Sequence, residues 1–358
     1  MKEVTLILSN GMRFRGKSFG YDAPVAGEVV FNTAMMGYPE SLTDPSYAGQ
    51  LMVLTFPMIG NYGVPPFNFL PDNGLPRFME SEHIHAKAII VSDYSEHFSH
   101  WNACESLSDW LKREQVPGIT GIDTRQLTKV LREHGVMLGQ IVFDDMPDNM
   151  PKAEYEGINW VDKVSCKKVI RYNEGAGKRV VLVDCGVKAN ILRCLIQRKV
   201  EVVRVPWNYD YTKMVFDGLF LANGPGDPDM CEEAVEIIRR QMTTSRKPIC
   251  GICMGNQLLA KAAGATIYKL KYGHRSHNQP VLETGTNHCY ITSQNHGYAV
   301  DASTLGKDWH ELFVNMNDGS NEGIMHNTYP WFTSQFHPEA CSGPTDTEFM
   351  FDRFIEKL

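Results

Sequence analysis

Apolar runs alternate with amphipathic stretches in the C-terminal half of the chain, and this alternation predicts strands and helices in turn. Consecutive apolar residues in 179–186 (RVVLVDCG), 200–206 (VEVVRVP) and 218–226 (GLFLANGPG) are typical of buried strands. Apolar residues at helical spacing occupy 188–199 and 231–243. Because strands and helices alternate at these lengths, we expect an α/β domain with a largely parallel central sheet covered by helices.

The N-terminal part of the chain has a different pattern, in which short strand-like runs are punctuated by Gly, Pro and Asn. Such runs occur at 4–11 (VTLILSNG), 27–37 (GEVVFNTAMMG) and 51–57 (LMVLTFP). Helix-like stretches follow at 106–115 and 123–135. This pattern predicts a mixed α/β domain.

A segment rich in Pro, Gly and charge separates the two patterns and has no sustained apolar period. We therefore expect an N-terminal domain over residues 1–145, a linker over 146–178 and a second domain over 179–358. A chain of 358 residues is long enough for two domains that each bury a core.

Composition excludes several classes of protein. No apolar run approaches the roughly 18 residues that span a bilayer, and the first residues lack the pattern of a signal peptide, so we expect a soluble, cytoplasmic protein without a membrane partner. The nine cysteines are an odd number in largely apolar contexts, which favours reduced thiols. A net charge of −7 with mixed signs gives no basic stripe, so nucleic acid is not an expected partner.

The segment 247–264 (KPICGICMGNQLLAKAAG) contains the strongest candidate for chemistry. It has the pattern strand, Cys253, helix, with Gly251 and Gly255 on either side, and so resembles a nucleophile elbow with a thiol as the nucleophile. Small residues are needed where the two arms of such a turn approach each other. The first turn of a helix also favours a thiolate. Cys253 is therefore a candidate nucleophile.

Two other interpretations of this cysteine exist. Most cysteines of a protein in a reducing compartment are buried structural thiols. Cys250 and Cys253 also form a C-x-x-C pair, which would suggest redox or zinc chemistry. Cys250, however, follows a buried strand, and no second C-x-x-C supplies further ligands, so we expect no metal site here.

The segment SQFHPEACSG supplies a candidate base and a group to orient it. His337 and Glu339 are two residues apart, so both side chains leave the same face if the strand remains extended. Glu339 would then fix the tautomer of His337, whose other ring nitrogen would face Cys253. Taken alone, this pair would be interpreted as an ordinary surface pair.

A glycine turn after a predicted strand supplies candidate donors for an oxyanion. In NGPGDP, Gly224 and Gly226 offer backbone amides, while Pro225 has none. Together with the N–H of Met254, one of these amides would complete an oxyanion hole. An ordinary Pro-Gly turn is the alternative.

These motifs resemble known families. Four motifs, spread over most of residues 179–358, resemble the class I (triad) glutamine amidotransferases: GICMGNQLLA, NGPGDP, SQNHGYAV and SQFHPEA. Two segments nearer the N-terminus resemble the N-terminal domain of the small subunits of glutamine-dependent carbamoyl phosphate synthases: VFNTAMMGYPESLTDPSYAG and GIDTRQLTKVLREHG. The resemblance implies that Cys253 is the nucleophile, His337 the base and then the acid, and Glu339 its orienting group. It places the glutamine pocket on Ser46, Gly224, Gly226, Met254, Gln257, Asn295, Gly297 and Tyr298.

The sequence departs from the family pattern at one position of the elbow. Asn256 stands where many relatives have histidine, so no proton transfer is expected there near neutral pH. The effect of this difference on any coupling signal stays open. We interpret His296 of QNHGY as a structural residue.

The resemblance implies hydrolysis of glutamine to glutamate and ammonia, with the ammonia delivered to a large subunit that makes carbamoyl phosphate from bicarbonate. The chain has no phosphate-binding loop of the G-x-x-x-x-G-K-[ST] type, so ATP and magnesium are expected to act on the partner, and no cofactor is expected in this chain. A glutaminase for another synthetase, such as one making anthranilate or a nucleotide, is a second interpretation. A non-catalytic scaffold with a vestigial elbow is a third.

Overall fold

The computed structural model of the chain describes residues 1–145 and 151–358. Within this part the chain forms two compact units, each with its own hydrophobic core. The units consist of Met1–Leu70 with Pro76–Glu156, and of Pro71–Leu75 with Gly157–Leu358.

The first unit is built from short strands and helices. Its strands are β1 Glu3–Leu8, β2 Arg13–Ser18, β3 Val25–Asn32, β4 Gln50–Leu54, β5 Met58–Ile59, β6 Ala88–Ile90, β7 Asp93–Tyr94, β8 Gly118–Thr120 and β9 Met137–Phe143. Its helices are α1 Tyr38–Thr43, α2 Leu107–Arg113 and α3 Thr124–His134, with a 3₁₀ turn at Pro45–Tyr47. The mixed α/β character predicted for this part is confirmed.

Most of these strands close into a barrel in the order β1-β2-β8-β6-β4-β3-β9, and β5 pairs with β7. The pairs β3–β4, β4–β6 and β6–β8 are parallel, and the other barrel pairs are antiparallel. In β2 every second residue is buried, which is the pattern expected of a strand with one face toward a core. The sequence pattern did not predict the closure, because alternation shows which face is buried and not which strands pair.

The second unit carries the longer strands and helices. Its strands are β10 Ile170–Tyr172, β11 Lys178–Asp184, β12 Val200–Pro206, β13 Gly218–Leu221, β14 Ile249–Ile252, β15 Ile267–Glu283, β16 Cys289–Val300, β17 Trp309–Asn315, β18 Asn321–His326 and β19 Trp331–Ser334. Its helices are α4 Trp160–Val164, α5 Ala189–Gln197, α6 Glu232–Thr244, α7 Met254–Ala262 and α8 Phe349–Ile355, with 3₁₀ turns at Pro228–Cys231 and Ala302–Thr304.

These strands form one sheet in the order β10-β12-β11-β13-β14-β19-β18-β17-β15-β16. The run from β12 to β19 is parallel, which confirms the parallel centre predicted from the alternation of strands and helices. The remaining pairs, from β19 to β16 and between β10 and β12, are antiparallel. The sheet is therefore mixed, and the antiparallel pairing in it was not predicted.

The central parallel strands β13, β14 and β19 are fully buried because helices cover them. Leu219 and Leu221 of β13 are in one apolar cluster with Val235 of α6 and with Leu258 and Leu259 of α7. This packing holds α7 against the carboxyl end of β13, which is the end of a parallel sheet where ligands bind.

The predicted linker, 146–178, is only partly described, since residues 146–150 lie outside the described residues. Its later part contains α4 and β10, and β10 pairs with β12 of the second unit. The nine cysteines all lie in the described part of the chain and are free thiols. Among the described residues, no helix combines the length and the apolar character needed to cross a membrane.

Candidate active site

Cys253 occupies the turn between β14 and α7. Its backbone has φ of 53° and ψ of −103°, a strained conformation for a residue other than glycine. The Cys253 N–H donates to Ser334 O at 2.8 Å, which ties the turn to the end of the neighbouring strand β19. Helix α7 begins at the next residue, Met254. The thiol therefore stands at the first turn of a helix, as the sequence pattern predicts.

The glycines on either side of the cysteine are required by close backbone contacts. A Cβ atom at Gly251 would lie 2.7 Å from the carbonyl carbon of Gly255. A Cβ atom at Gly255 would lie 2.2 Å from Leu221 O at the end of β13. Distances below 3.0 Å are not tolerated by real Cβ atoms. The prediction that both positions must be small is confirmed.

His337 and Glu339 come together although the strand before them is shorter than predicted. Strand β19 ends at Ser334, and His337 is held by a separate hydrogen bond from its N–H to Ser293 O at 2.9 Å. The ring Nδ1 of His337 is 2.7 Å from Glu339 Oε1. This hydrogen bond orients the imidazole and leaves Nε2 as the nitrogen available for chemistry.

The charges of the pair shift both pKa values. Burial lowers the pKa of His337, but the negative charge of Glu339 outweighs this effect and holds the pKa above its ordinary value. The side chain of Cys253 also raises the pKa of His337. Burial raises the pKa of Glu339, while the charges of Lys188 and His337 lower it further than burial raises it. The pair is thus suited to hold an imidazolium next to a carboxylate.

Lys188 is a member of the site that the sequence analysis missed. Its Nζ lies 3.0 Å from Glu339 Oε1 and donates to Ala340 O at 2.8 Å, and the whole side chain is buried. The Asn190 amide also donates to Glu339 O, at 2.5 Å. The sequence pattern shows Lys188 only as the first residue of a stretch with helical spacing. Its position shortly after the buried strand β11 is the feature that could have indicated a role.

The thiol of Cys253 lies beside β16. Its Sγ is 3.7 Å from Asn295 O, and the side chain is only 2% exposed. The Nε2 atom of His337 is buried and makes no hydrogen bond of good geometry within the described residues. That Nε2 of His337 faces the thiol of Cys253 stays a prediction.

The predicted pocket residues of β16 lie next to the elbow helix. Asn295, Gly297 and Tyr298 are half-buried on this strand. Gln257, in α7, donates from Nε2 to Tyr298 O at 3.1 Å. The structure therefore brings these four residues together with Cys253.

The two glycines of the NGPG turn are held close to neighbouring groups. A Cβ at Gly224 would lie 2.1 Å from Cys185 O. Gly226 has φ of +84°, and a Cβ there would lie 3.1 Å from Trp160. The turn follows β13, whose end contacts Gly255 of the elbow helix.

Ser46 is described within the first unit. It lies in the 3₁₀ turn Pro45–Tyr47, is 6% exposed, and its N–H donates to the Asp44 side chain at 2.9 Å. Its part in the glutamine pocket stays a prediction.

Asn256 is fully buried in a polar network beneath the elbow. Its Nδ2 donates to Gln335 Oε1 at 2.9 Å, and Thr333 Oγ1 donates to its Oδ1 at 2.6 Å. Gln257 donates to the same Gln335 oxygen at 3.2 Å. The amide thus joins the first turn of α7 to strand β19, which is a structural role.

No metal-binding group includes the elbow thiols in the part of the chain that the structure describes. Cys250 is buried, and burial raises its pKa, which agrees with an inert structural thiol. One group of potential ligands does occur elsewhere, formed by His274, His296 and Glu322.

Comparison with known families agrees with this geometry. Residues 181–357 match the family model described as glutamine amidotransferase class-I, so the second unit contains a domain of this class. Residues 6–141 match the model described as carbamoyl-phosphate synthase small chain, CPSase domain. The chain belongs to the family of carbamoyl phosphate synthase small chains.

Curated relatives support the same family. The carbamoyl phosphate synthase arginine-specific small chain of Chaetomium globosum is 50% identical over 99% of this chain and 78% of its own length. The protein of the same name from Saccharomyces cerevisiae is 48% identical over 99% of this chain and 89% of its length. The multifunctional protein ura1 of Schizosaccharomyces pombe is 47% identical over 99% of this chain, which spans only 17% of that relative.

Proposed function

We propose that this chain hydrolyses glutamine to glutamate and ammonia and delivers the ammonia to a large ATP-dependent subunit, which makes carbamoyl phosphate from bicarbonate. The product would feed arginine and pyrimidine biosynthesis. The observation that carries the proposal is the arrangement of Cys253 on a strained elbow beside a buried His337–Glu339 pair. The family match of residues 6–141 favours carbamoyl phosphate over the products of other synthetases.

In the first half-reaction, Cys253 gives its thiol proton to His337 Nε2 and attacks the side-chain amide carbon of glutamine. The negative charge that develops on the amide oxygen would be stabilised by backbone N–H groups of Met254 and of Gly224 or Gly226. His337 then returns the proton to the leaving nitrogen, so that ammonia departs and a glutamyl thioester remains. Glu339 stabilises the imidazolium throughout this step.

In the second half-reaction, water attacks the thioester. His337 Nε2 accepts a proton from the water and returns it to the thiolate of Cys253 as glutamate leaves. Lys188 keeps Glu339 ionised and fixes its position through the Ala340 carbonyl. The glutamine would be bound by Gln257, Asn295, Gly297, Tyr298 and Ser46.

The remaining parts of the proposal concern the partner. This chain would use no cofactor, while ATP and magnesium would act on the large subunit. A cytoplasmic location fits such an enzyme.

The proposal is tested with Cys253→Ser, which changes the nucleophile and little of the volume. We expect glutamine hydrolysis to fall by at least about 10³-fold, because a serine hydroxyl is far less acidic than a thiol. With the large subunit, glutamine-dependent synthesis should be lost while synthesis from added ammonia continues. Cys289→Ser is the matched control, since Cys289 is exposed and should leave both activities unchanged.

Three results would contradict the proposal. Glutamine hydrolysis by the Cys253→Ser variant at the unmodified rate would exclude the nucleophile. Absence of hydrolysis in the unmodified chain, alone and with the large subunit, would support the scaffold interpretation. Loss of ammonia-dependent synthesis in the variant would show that Cys253 serves the structure of the complex.

A further inference from the structure

A buried cluster of two histidines and one glutamate lies in the antiparallel part of the second sheet. His274 on β15 and His296 on β16 are cross-strand partners, and Glu322 of β18 completes the cluster. One ligand atom from each residue lies within 4.8 Å of the other two. Strands β16 and β18 are not neighbours in the sheet, so the cluster joins strands that backbone hydrogen bonds do not join.

The surrounding hydrogen bonds fix the orientation of the His296 ring. Its Nδ1 is 2.8 Å from Tyr298 O, and a carbonyl only accepts, so Nδ1 carries a proton. Thr292 Oγ1 donates to Gln279 O at 2.9 Å, so this hydroxyl can only accept from Gln294 Nε2, which is 3.2 Å away. Gln294 therefore presents its amide oxygen to His296 Nε2, at 3.2 Å. The lone pair of a neutral His296 thus faces an oxygen atom.

His274 is in a similar position. Its Nε2 is 2.8 Å from the Asp318 carboxylate, so this nitrogen carries a proton, and its Nδ1 is 3.4 Å from Glu322 Oε1. Asn315 donates to the same Glu322 oxygen at 2.8 Å. The other oxygen, Oε2, is buried and lacks a hydrogen bond of good geometry within the described residues. In the neutral form of His274, lone pairs of His274 Nδ1, His296 Nε2 and the Glu322 carboxylate therefore converge.

Such a convergence of lone pairs needs a positive charge. One further proton on His274 would satisfy Glu322 but would leave His296 Nε2 facing the Gln294 oxygen. A further proton on each ring would place two buried imidazolium rings with centroids only 4.9 Å apart, where they repel each other. One divalent cation would satisfy both rings and the carboxylate. We propose that His274 Nδ1, His296 Nε2 and the Glu322 carboxylate bind a metal ion, and that the ion is zinc.

The spacing and the ligand types favour zinc. Tetrahedral zinc with bonds of about 2.0–2.1 Å places its ligand atoms about 3.3 Å apart. Glu322 Oε1 is 3.4 Å from His274 Nδ1 and 3.9 Å from His296 Nε2, so small adjustments complete the geometry. The amide oxygen of Gln294 is placed as a fourth group. Two imidazoles and a carboxylate are typical zinc ligands.

The groups behind the ligands are those that zinc sites use. A histidine that binds zinc usually donates its other ring N–H to a carboxylate or a carbonyl, which orients the ring. Asp318 has this position behind His274, and Tyr298 O has it behind His296. The ion would cross-link β15, β16 and β18, and β16 also carries Asn295 at the thiol of Cys253.

The first test measures metal in the full-length chain. The protein is stripped with a chelator, equilibrated with zinc chloride and passed through a desalting column before elemental analysis. We expect about one zinc per chain, and cobalt in place of zinc should give the visible absorption of a tetrahedral site. If the unmodified chain binds neither metal at micromolar concentration, the proposal is wrong, and protons supply the charge.

The second test assigns the bound metal to the cluster. Asp318→Asn is the main variant, because this side chain is 43% exposed and its loss should not prevent folding. We expect zinc affinity to fall about 10–100-fold, as is usual when a group behind a metal ligand is changed. Asp308→Asn, on an exposed residue of the same unit, is the matched control and should bind zinc normally.

Glu322→Gln provides an independent variant, since its amide oxygen can still accept from Asn315 while the charge is lost. We expect no zinc at equimolar metal. Circular dichroism of each variant verifies folding. Zinc binding of unchanged affinity in both Asp318→Asn and Glu322→Gln would place the metal elsewhere, for example on thiols, and would overturn the proposal.

Discussion

The contact between Gly255 and Leu221 gives a direct prediction about the elbow. A methyl group at Gly255 would lie 2.2 Å from Leu221 O and 2.7 Å from its carbonyl carbon, where 3.0 Å is the practical limit. Both atoms belong to the backbone of a buried strand and cannot move aside. Helix α7 must therefore shift by about 0.8 Å or more in Gly255→Ala. Overpacking of this kind costs about 1–3 kcal/mol of stability.

The shift would also displace the nucleophile, because Cys253 immediately precedes α7. A displacement of about 1 Å at a reacting group can cost about 10²-fold in rate. We expect Gly255→Ala to lower kcat/KM for glutamine by about this factor. The assay is glutamate release at several glutamine concentrations, together with urea denaturation for the free energy of unfolding.

Gly306→Ala is the matched control, because a Cβ at Gly306 meets nothing within 4 Å. It should leave activity and stability unchanged. If Gly255→Ala equals Gly306→Ala in both measurements, the backbone contact does not constrain the elbow, and the reasoning is refuted. Lost activity with unchanged stability would show that the shift is absorbed locally at the thiol.

Three further predictions concern single side chains. Ser46→Ala should raise the KM for glutamine about fivefold, since one hydroxyl hydrogen bond contributes about 1 kcal/mol, and unchanged kinetics would assign Ser46 to its turn alone. Asn256→Ala should lower the free energy of unfolding in urea by about 1–3 kcal/mol, because it removes two buried hydrogen bonds, to Gln335 and from Thr333, and an unchanged midpoint would contradict this role. Glu339→Gln should lower the free energy of unfolding, and this loss should be largest between pH 4.5 and 6.5, the ordinary pKa values of the two side chains. The reason is that Glu339 has a lowered pKa and His337 a raised one, so the charged pair stabilises the folded chain in this range. The difference should shrink at alkaline pH as His337 loses its proton, so a difference in urea stability that is independent of pH would exclude this linkage.

Several regular elements of the second unit could be predicted because each has one dominant pattern of apolar residues. Consecutive apolar residues indicated β11, β12 and β13, and helical spacing indicated α5 and α6. The long strand β15 is different, since it mixes buried and exposed residues irregularly and has register shifts. Antiparallel pairing between distant segments and barrel closure leave no local period, so neither could be found from spacing.

The candidate site was predictable where a backbone requirement marks the sequence. Gly251 and Gly255 are needed by contacts below 3.0 Å, so the elbow is visible as a pattern. Lys188 carries no such mark, because its role depends on the burial of its amine beside Glu339, which only the tertiary structure shows. The same holds for the cluster around Glu322, whose ligands come from three strands.

The central claim is that Cys253 forms a covalent glutamyl thioester, and the most direct measurement is to trap it. The chain is mixed with radiolabelled glutamine, quenched in acid within the steady state, and digested for mass spectrometry. We predict label on the single peptide that contains Cys253, with loss of one ammonia per glutamyl group bound, and none in Cys253→Ser. Label on another cysteine, or glutamate release without any labelled peptide in an acid-stable quench, would contradict the claim.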